Sequence, residues 1–128
     1  MAVSIGPLAL RPILYVADPY AERDFLAAFG FSTEYEGDDF PGFLAVRHGE
    51  VVIGLSSNRG SPPAVAHLGT QWQFTVGDVD PVVEICRRDG WQHEVEVCES
   101  GDSYLVRIVH VTSPNGVIVW FEGPNERA

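Results

Sequence analysis

The sequence predicts an α+β fold built from two βαβββ modules. Three observations predict it. Residues 11–36 match residues 71–96 at a constant offset of 60, agreeing in the class of each position. Each copy runs as a strand, a capped helix, a glycine stop and three further strands. The strand segments alternate in a way that gives each one face toward a helix and one away from it. In the repeat Leu14 meets Phe74, Val16 meets Val76, Asp18 meets Asp78, Gly30 meets Gly90 and Phe31 meets Trp91. The expected organisation is one domain over 1–128, with a first module at 8–57, a linker at 58–66 and a second module at 67–123. Two four-stranded sheets, each with a helix on its outer face, would then join into one curved, cup-like mixed sheet.

Taken in order, Leu10–Val16 reads as a short strand rich in β-formers. Asp18 caps a helix with Pro19 in its first turn, and Gly30 stops it. Phe31–Glu36 is an outer strand. Gly42–Val46 and Val51–Leu55 form a hairpin about His48 and Gly49. In the second copy Gln71–Val76 is the first strand, and Asp78 or Asp80 with Pro81 starts a helix that ends at Gly90. Strands follow at Trp91–Cys98, Tyr104–Thr112 and Val117–Glu122, the last two joined by Ser113-Pro-Asn-Gly116. Alternation points Leu14, Val16, Trp72, Phe74 and Val76 at the helices. It leaves Arg11, Ile13, Tyr15, Gln71, Gln73 and Thr75 on the inner face, with Phe43, Ala45, Gly54, Trp120 and Glu122. Glu34, Glu36, Glu94 and Glu96 are expected to point away from Phe31, Tyr35, Trp91 and Val95. An inner face of this mixed polar and aromatic kind suits a ligand cup better than a core.

Size and charge narrow the function. A chain of 128 residues and 14.0 kDa buries enough surface to fold without metal or disulfide support. Eighteen acidic side chains against eight basic ones, all Arg, give a net charge of −10. Nucleic acid and anionic membranes would be repelled, and a cationic ligand attracted. No apolar run is long enough to cross a membrane, and Met1–Pro7 does not read as a signal peptide. Cys86 and Cys98 have no metal-like spacing, so free thiols and a cytoplasmic location are expected. Among the four histidines no pair has helical ligand spacing. No nucleophile elbow, phosphate loop or dinucleotide fingerprint is present.

Five segments in order carry a resemblance. They are Ile13-Leu-Tyr-Val-Ala-Asp18, Phe25-Leu-Ala-Ala-Phe-Gly-Phe31, Val46-Arg-His-Gly-Glu-Val-Val-Ile53, Phe74-Thr-Val-Gly-Asp-Val79 and Ser113-Pro-Asn-Gly116. Together, from about Leu10 to Glu122, they resemble the glyoxalase / bleomycin resistance / extradiol dioxygenase (vicinal oxygen chelate) superfamily. Metal enzymes of that superfamily place one ligand, drawn from His, Glu and sometimes Gln, on each of four strands. The resemblance maps those positions onto Arg11, Gly54, Gln71 and Trp120. Arg repels a divalent cation, and Gly and Trp offer no donor, so no metal and no cofactor are expected there.

The resemblance without the metal implies the bleomycin-resistance-like branch: a non-catalytic, homodimeric binder with a role in antibiotic resistance. Its ligand would be bulky, aromatic and cationic, such as an antibiotic, held by sequestration. The ligand-binding residues expected are Arg11, Tyr15, Phe43, Gly54, Gln71, Gln73, Trp120 and Glu122. Trp120, Tyr15 and Phe43 would stack, Gln71 and Gln73 would hydrogen-bond, and Glu122 would attract positive charge. Arg11 would stack or grip a carboxylate, or else pair with Glu122 or another cup acid. The alternative is a divergent lyase or dioxygenase-like enzyme, with a relocated metal or with Glu122 and His110 as acid and base.

Overall fold

The computed structural model describes residues 3–57, 72–100 and 104–125. The expected linker at 58–66 and the ligand candidate Gln71 lie outside these residues. The elements are β1 (Ile13–Tyr15), α1 (Pro19–Ala28), β2 (Ser32–Glu36), β3 (Phe43–His48), β4 (Val51–Ser56), β5 (Trp72–Thr75), α2 (Asp80–Asp89), β6 (His93–Ser100), β7 (Tyr104–Thr112) and β8 (Ile118–Pro124). The fold is α+β, with one βαβββ unit in each half. Two four-stranded sheets form, ordered β1-β4-β3-β2 and β5-β8-β7-β6. In each, the first strand runs parallel to the last, and the other pairs are antiparallel. Each βαβββ module thus contributes one mixed four-stranded sheet, as the two-module reading expects.

Local chemistry sets the element ends. Asp18 is extended, and its Oδ1 accepts the Tyr20 and Ala21 N–H groups at 3.1 Å each, which starts α1. In the second module Asp78 Oδ1 accepts only the Asp80 N–H, at 2.9 Å, and α2 begins at Asp80 without a side-chain cap on its turn. Gly90 closes α2 in the left-handed region at φ 77°. β1 is shorter than the expected Leu10–Val16. Pro12 has no N–H to continue the ladder, although its carbonyl accepts from Gly54 at 2.9 Å. Residues 3–10 lie exposed ahead of it, Val3, Ile5, Leu8 and Leu10 included.

The helix-facing sides of both sheets share one core. Leu14, Val16, Phe25, Leu44, Ile53 and Leu55 of the first half cluster with Val79, Val82, Cys86, Val109, Val111 and Phe121 of the second. Rings cross between halves: Phe25 meets Trp91 edge-on at 5.0 Å, Phe29 meets Phe121 at 4.9 Å, and Phe31 meets Phe74 at 5.7 Å. A polar clasp joins the same surfaces. The fully buried Glu22 on α1 accepts from Ser113 Oγ and Asn115 Nδ2, both at 2.8 Å, at the turn between β7 and β8. Asn115 also bridges the Asp18 backbone, receiving its N–H and donating to its carbonyl at 2.9 Å. This packing leaves the inner faces outside the core.

β2 departs from simple alternation. A bulge between Thr33 and Tyr35 shifts its register against β3. Tyr35 therefore turns onto the inner face opposite Ala45. Glu36 turns to the helix side, where Arg23 of α1 binds it at 2.9 Å. The expectation that Glu34 and Glu36 share a face opposite Tyr35 is corrected on this point.

Candidate ligand-binding cup

A cavity of about 490 Å³ opens on the inner face of the first sheet. Its floor is Gly54 on β4, flanked by Ile13 on β1 and Ala45 on β3. The missing side chain matters here. A Cβ on Gly54 would meet Phe43 Cε1 at 2.9 Å and Ile13 Cγ1 at 3.1 Å, so the Phe43 ring lies over the bare backbone. Phe43, Tyr35 and Phe40 form an aromatic wall. Tyr35 lies 6.0 Å from each of the other two, ring centre to ring centre, and Phe40 and Phe43 are 6.5 Å apart. Their planes are inclined at 60°, 41° and 78°, so the rings do not stack flat on one another.

The cavity has two charged residues at its wall, Arg11 and Glu34. Glu34 is gripped by Arg47 through a two-bonded fork, Nε to Oε2 at 2.7 Å and Nη2 to Oε1 at 2.9 Å. Those bonds, with the charges of Arg47 and Arg11, hold the Glu34 carboxyl below its ordinary range. Arg11 itself forms no ion pair among the described residues. The expected alternative of an Arg11–Glu122 salt bridge is therefore not formed.

The inner face of the second sheet is chemically different. Gln73 lies beside Trp120, and Gln73 Nε2 donates to Glu122 Oε2 at 2.7 Å. His110 sits opposite Trp120, with ring centres 4.7 Å apart in an edge contact, and its Nε2 is 2.9 Å from Glu96 Oε1. Glu122 and His110, the acid and base of the alternative enzyme reading, thus each engage another partner. Cys98 shares this face. Partial burial and the nearby Glu96 and Glu122 carboxylates push its thiol up, away from nucleophilic reactivity. Cys86 is a core residue whose thiol burial pushes up to about 11.

The expected ligand residues therefore fall into two groups. Arg11, Phe43 and Gly54 come together in the first cavity. Gln73, Trp120 and Glu122 come together on the second face and do not line that cavity. Tyr15 points to the inner side of β1 but lies beyond the cavity wall. Tyr35 and Phe40 line the cavity and were not among the residues expected. Phe40, an aromatic in an otherwise polar and glycine-rich loop, is a signal that sequence reasoning could have used. Tyr35 carries no such signal, because nothing in the sequence of Ser32–Glu36 marks the bulge that turns it inward.

The donor set does not fit the metal that some proteins of this fold family carry. At the three described positions where the superfamily resemblance puts ligands, a guanidinium stands just ahead of β1, a bare glycine covered by Phe43 on β4, and an indole on β8. Among the described residues no three His, Cys, Asp or Glu side chains gather into a metal-sized cluster.

No protein-family model matches the chain, and no curated protein sequence does either. Solved structures do match. A glyoxalase/bleomycin resistance protein/dioxygenase from Alicyclobacillus acidocaldarius superposes with a TM-score of 0.67 at 10% identity, covering 91% of each chain. An integron cassette protein from the mobile metagenome of V. cholerae gives 0.64 at 17% identity, covering 96% of this chain and 98% of that one. A bleomycin-binding protein solved in complex with bleomycin gives 0.58 at 14% identity, covering 94% and 100%. No helix among the described residues is long and apolar enough to cross a membrane. At these identities the likeness is one of architecture, and the chain has the fold of the glyoxalase/bleomycin resistance protein/dioxygenase structures.

Proposed function

We propose that this chain is a binding protein that sequesters a bulky aromatic small molecule, such as an antibiotic, without chemical conversion. The observation that carries the reading is the open, aromatic-walled cavity of about 490 Å³ over Gly54, where the superfamily's metal enzymes would need a donor. The likeness in fold to a bleomycin-binding protein supports it. The acidic second face supports a cationic portion on the ligand, with Trp120 as a stacking surface and Glu122 and Glu96 as counter-charges.

The same reading includes a homodimer of two-fold symmetry, in the cytoplasm. Each inner face is half a cup, and β1 and β5 each stand at the edge of a sheet. The exposed apolar side chains of Val3, Ile5, Leu8 and Leu10 supply surface that a second copy would cover. Light scattering at micromolar concentration should give twice 14.0 kDa, and a monomer mass would remove the dimer.

A titration panel tests the binding itself. Bleomycin and a set of polycyclic aromatic amines, followed by calorimetry on protein purified without chelator, should include at least one binder at micromolar affinity or better. Elemental analysis of the same sample should find no stoichiometric zinc, iron or manganese. Turnover that disappears with a chelated metal would replace this reading with an enzymatic one.

A further inference from the structure

The two inner faces differ in the sign of their free charge. Six arginines are among the described residues. Arg23, Arg47, Arg88 and Arg107 are in ion pairs with Glu36, Glu34, Asp89 and Asp80. Arg87 sits exposed on the last turn of α2. Arg11 alone combines an unpaired guanidinium with a place in a cavity wall. This is notable in a chain of net charge −10, where a carboxylate partner is easy to supply.

The rest of the wall does not cancel Arg11. The single carboxylate there, Glu34, already accepts both bonds of the Arg47 fork. Its charge is therefore neutralised from behind, and the pocket is left with about one net positive charge. Around that charge stand the rings of Tyr35, Phe40 and Phe43, inclined to one another and seated over Gly54. The Tyr35 hydroxyl is buried and has no partner among the described residues.

We infer that the first-sheet cavity is a subsite for a flat aromatic group bearing a carboxylate, its ring against Tyr35, Phe40 and Phe43 and its anion on Arg11. This rests on the proposed binding function and deepens it. The ligand would be an aromatic acid at this end, whatever charge its other end presents to the second face. A planar fork is suited to this task, since guanidinium meets carboxylate through two parallel bonds and tolerates an aromatic neighbour.

Three probes of equal shape separate the charge contribution from the ring contribution: 2-naphthoate, neutral 2-naphthamide and the cation of 2-naphthylmethylamine. Calorimetric titration of the full chain should find naphthoate bound about tenfold or more tighter than naphthamide, as one charge-assisted pair implies. Arg11→Gln, at an exposed position, should erase that preference, lowering the affinity for naphthoate far more than that for naphthamide. Phe43→Leu should weaken both, and a melting curve on each variant establishes that it is folded. An unaltered naphthoate preference in folded Arg11→Gln would overturn the inference, as would failure of naphthoate to bind. Cation binding weakened by Glu122→Gln belongs to the second face; the naphthylmethylammonium cation bound as tightly as naphthoate and weakened by Phe43→Leu would overturn the inference while leaving the binding-protein reading standing. That broader reading falls only if the amine and the polycyclic panel also fail to bind.

Discussion

The two modules use the same positions for packing and different chemistry for their inner faces. Across the offset of 60, Leu14 and Phe74, Leu26 and Cys86, and Phe31 and Trp91 all point into the shared core. On the other side of the sheets the correspondence ends. The first face has an aromatic wall, with Phe43 lying over Gly54 and, among the described residues, one guanidinium outside any ion pair. The second is polar, with Gln73 tied to Glu122 and His110 tied to Glu96. A β-strand makes this division easy, because successive side chains belong to opposite faces and can be chosen independently. The helix-facing residues must fit one another to fold. The inner ones, under the proposed binding function, answer to a ligand.

The largest effect should come from the half of the comparison that is shared. Phe25 is fully buried and contacts Trp91 across the module boundary. Phe25→Ala should cost roughly 3–5 kcal/mol, as large-to-small changes in cores do. Because one core serves both halves, far-ultraviolet circular dichroism and Trp fluorescence should report the same lowered transition. Two separated transitions would mean that the modules melt independently, and the picture of a common core would have to be abandoned.

Substitutions on the two inner faces should then act differently. Gly54→Ala places a methyl group 2.9 Å from the Phe43 ring, which must move. The expected stability loss is about 1–3 kcal/mol, the range for overpacking, together with loss of binding in the first cavity. Trp120 is half-buried, edge-on to His110, and in register with Gln73. If it is a ligand platform, Trp120→Ala stays folded and loses on the order of 1–3 kcal/mol of affinity for the naphthylmethylammonium probe. Unchanged affinity in a folded variant would mark Trp120 as filler and blur the distinction between the faces.

Much of this architecture is legible in the sequence for a physical reason. Caps, glycine stops and alternation are local rules, and Asp18, Gly90 and the hairpin strands obey them. What escapes is non-local or shifts a register. The bulge in β2 exchanges Tyr35 for Glu36 on the inner face, and nothing in the sequence of Ser32–Glu36 marks it. Phe40 reaches the cavity from a loop, where no period predicts direction. The division of Arg11 and Trp120 between two separate faces depends on how the sheets are placed. Alternation ranks residues within one sheet and is silent about its neighbour.

Position 22 is where the repeat changes a core residue rather than a face. Its counterpart at the same offset is Val82, and both side chains are buried, one as a carboxyl and one as an apolar group. Burial raises the Glu22 pKa from the ordinary 4.5, against the hydrogen bonds from Asn115 and Ser113, which lower it. One oxygen, Oε1, takes both of those bonds, and Oε2 has no partner among the described residues. A raised carboxyl binds its proton more tightly in the folded chain than in the unfolded one. The stability it contributes is complete below about pH 4.5 and is lost as pH rises through the folded value. Above that folded value the ionised form is the less favoured one in the folded chain, although its hydrogen bonds join the two modules. Glu22→Gln keeps an oxygen for Ser113 and Asn115 and removes the charge. We expect it to stabilise the protein at pH 7 by about 1 kcal/mol, a rise of about 4 °C in melting temperature for a chain of this length. The gain should shrink toward nothing as the pH is lowered past 4.5, where the wild-type carboxyl is protonated. Melting curves of both proteins between pH 4 and pH 8 would measure it. A variant less stable by the same amount at every pH would mean that the carboxylate's hydrogen bonds outweigh the cost of its burial.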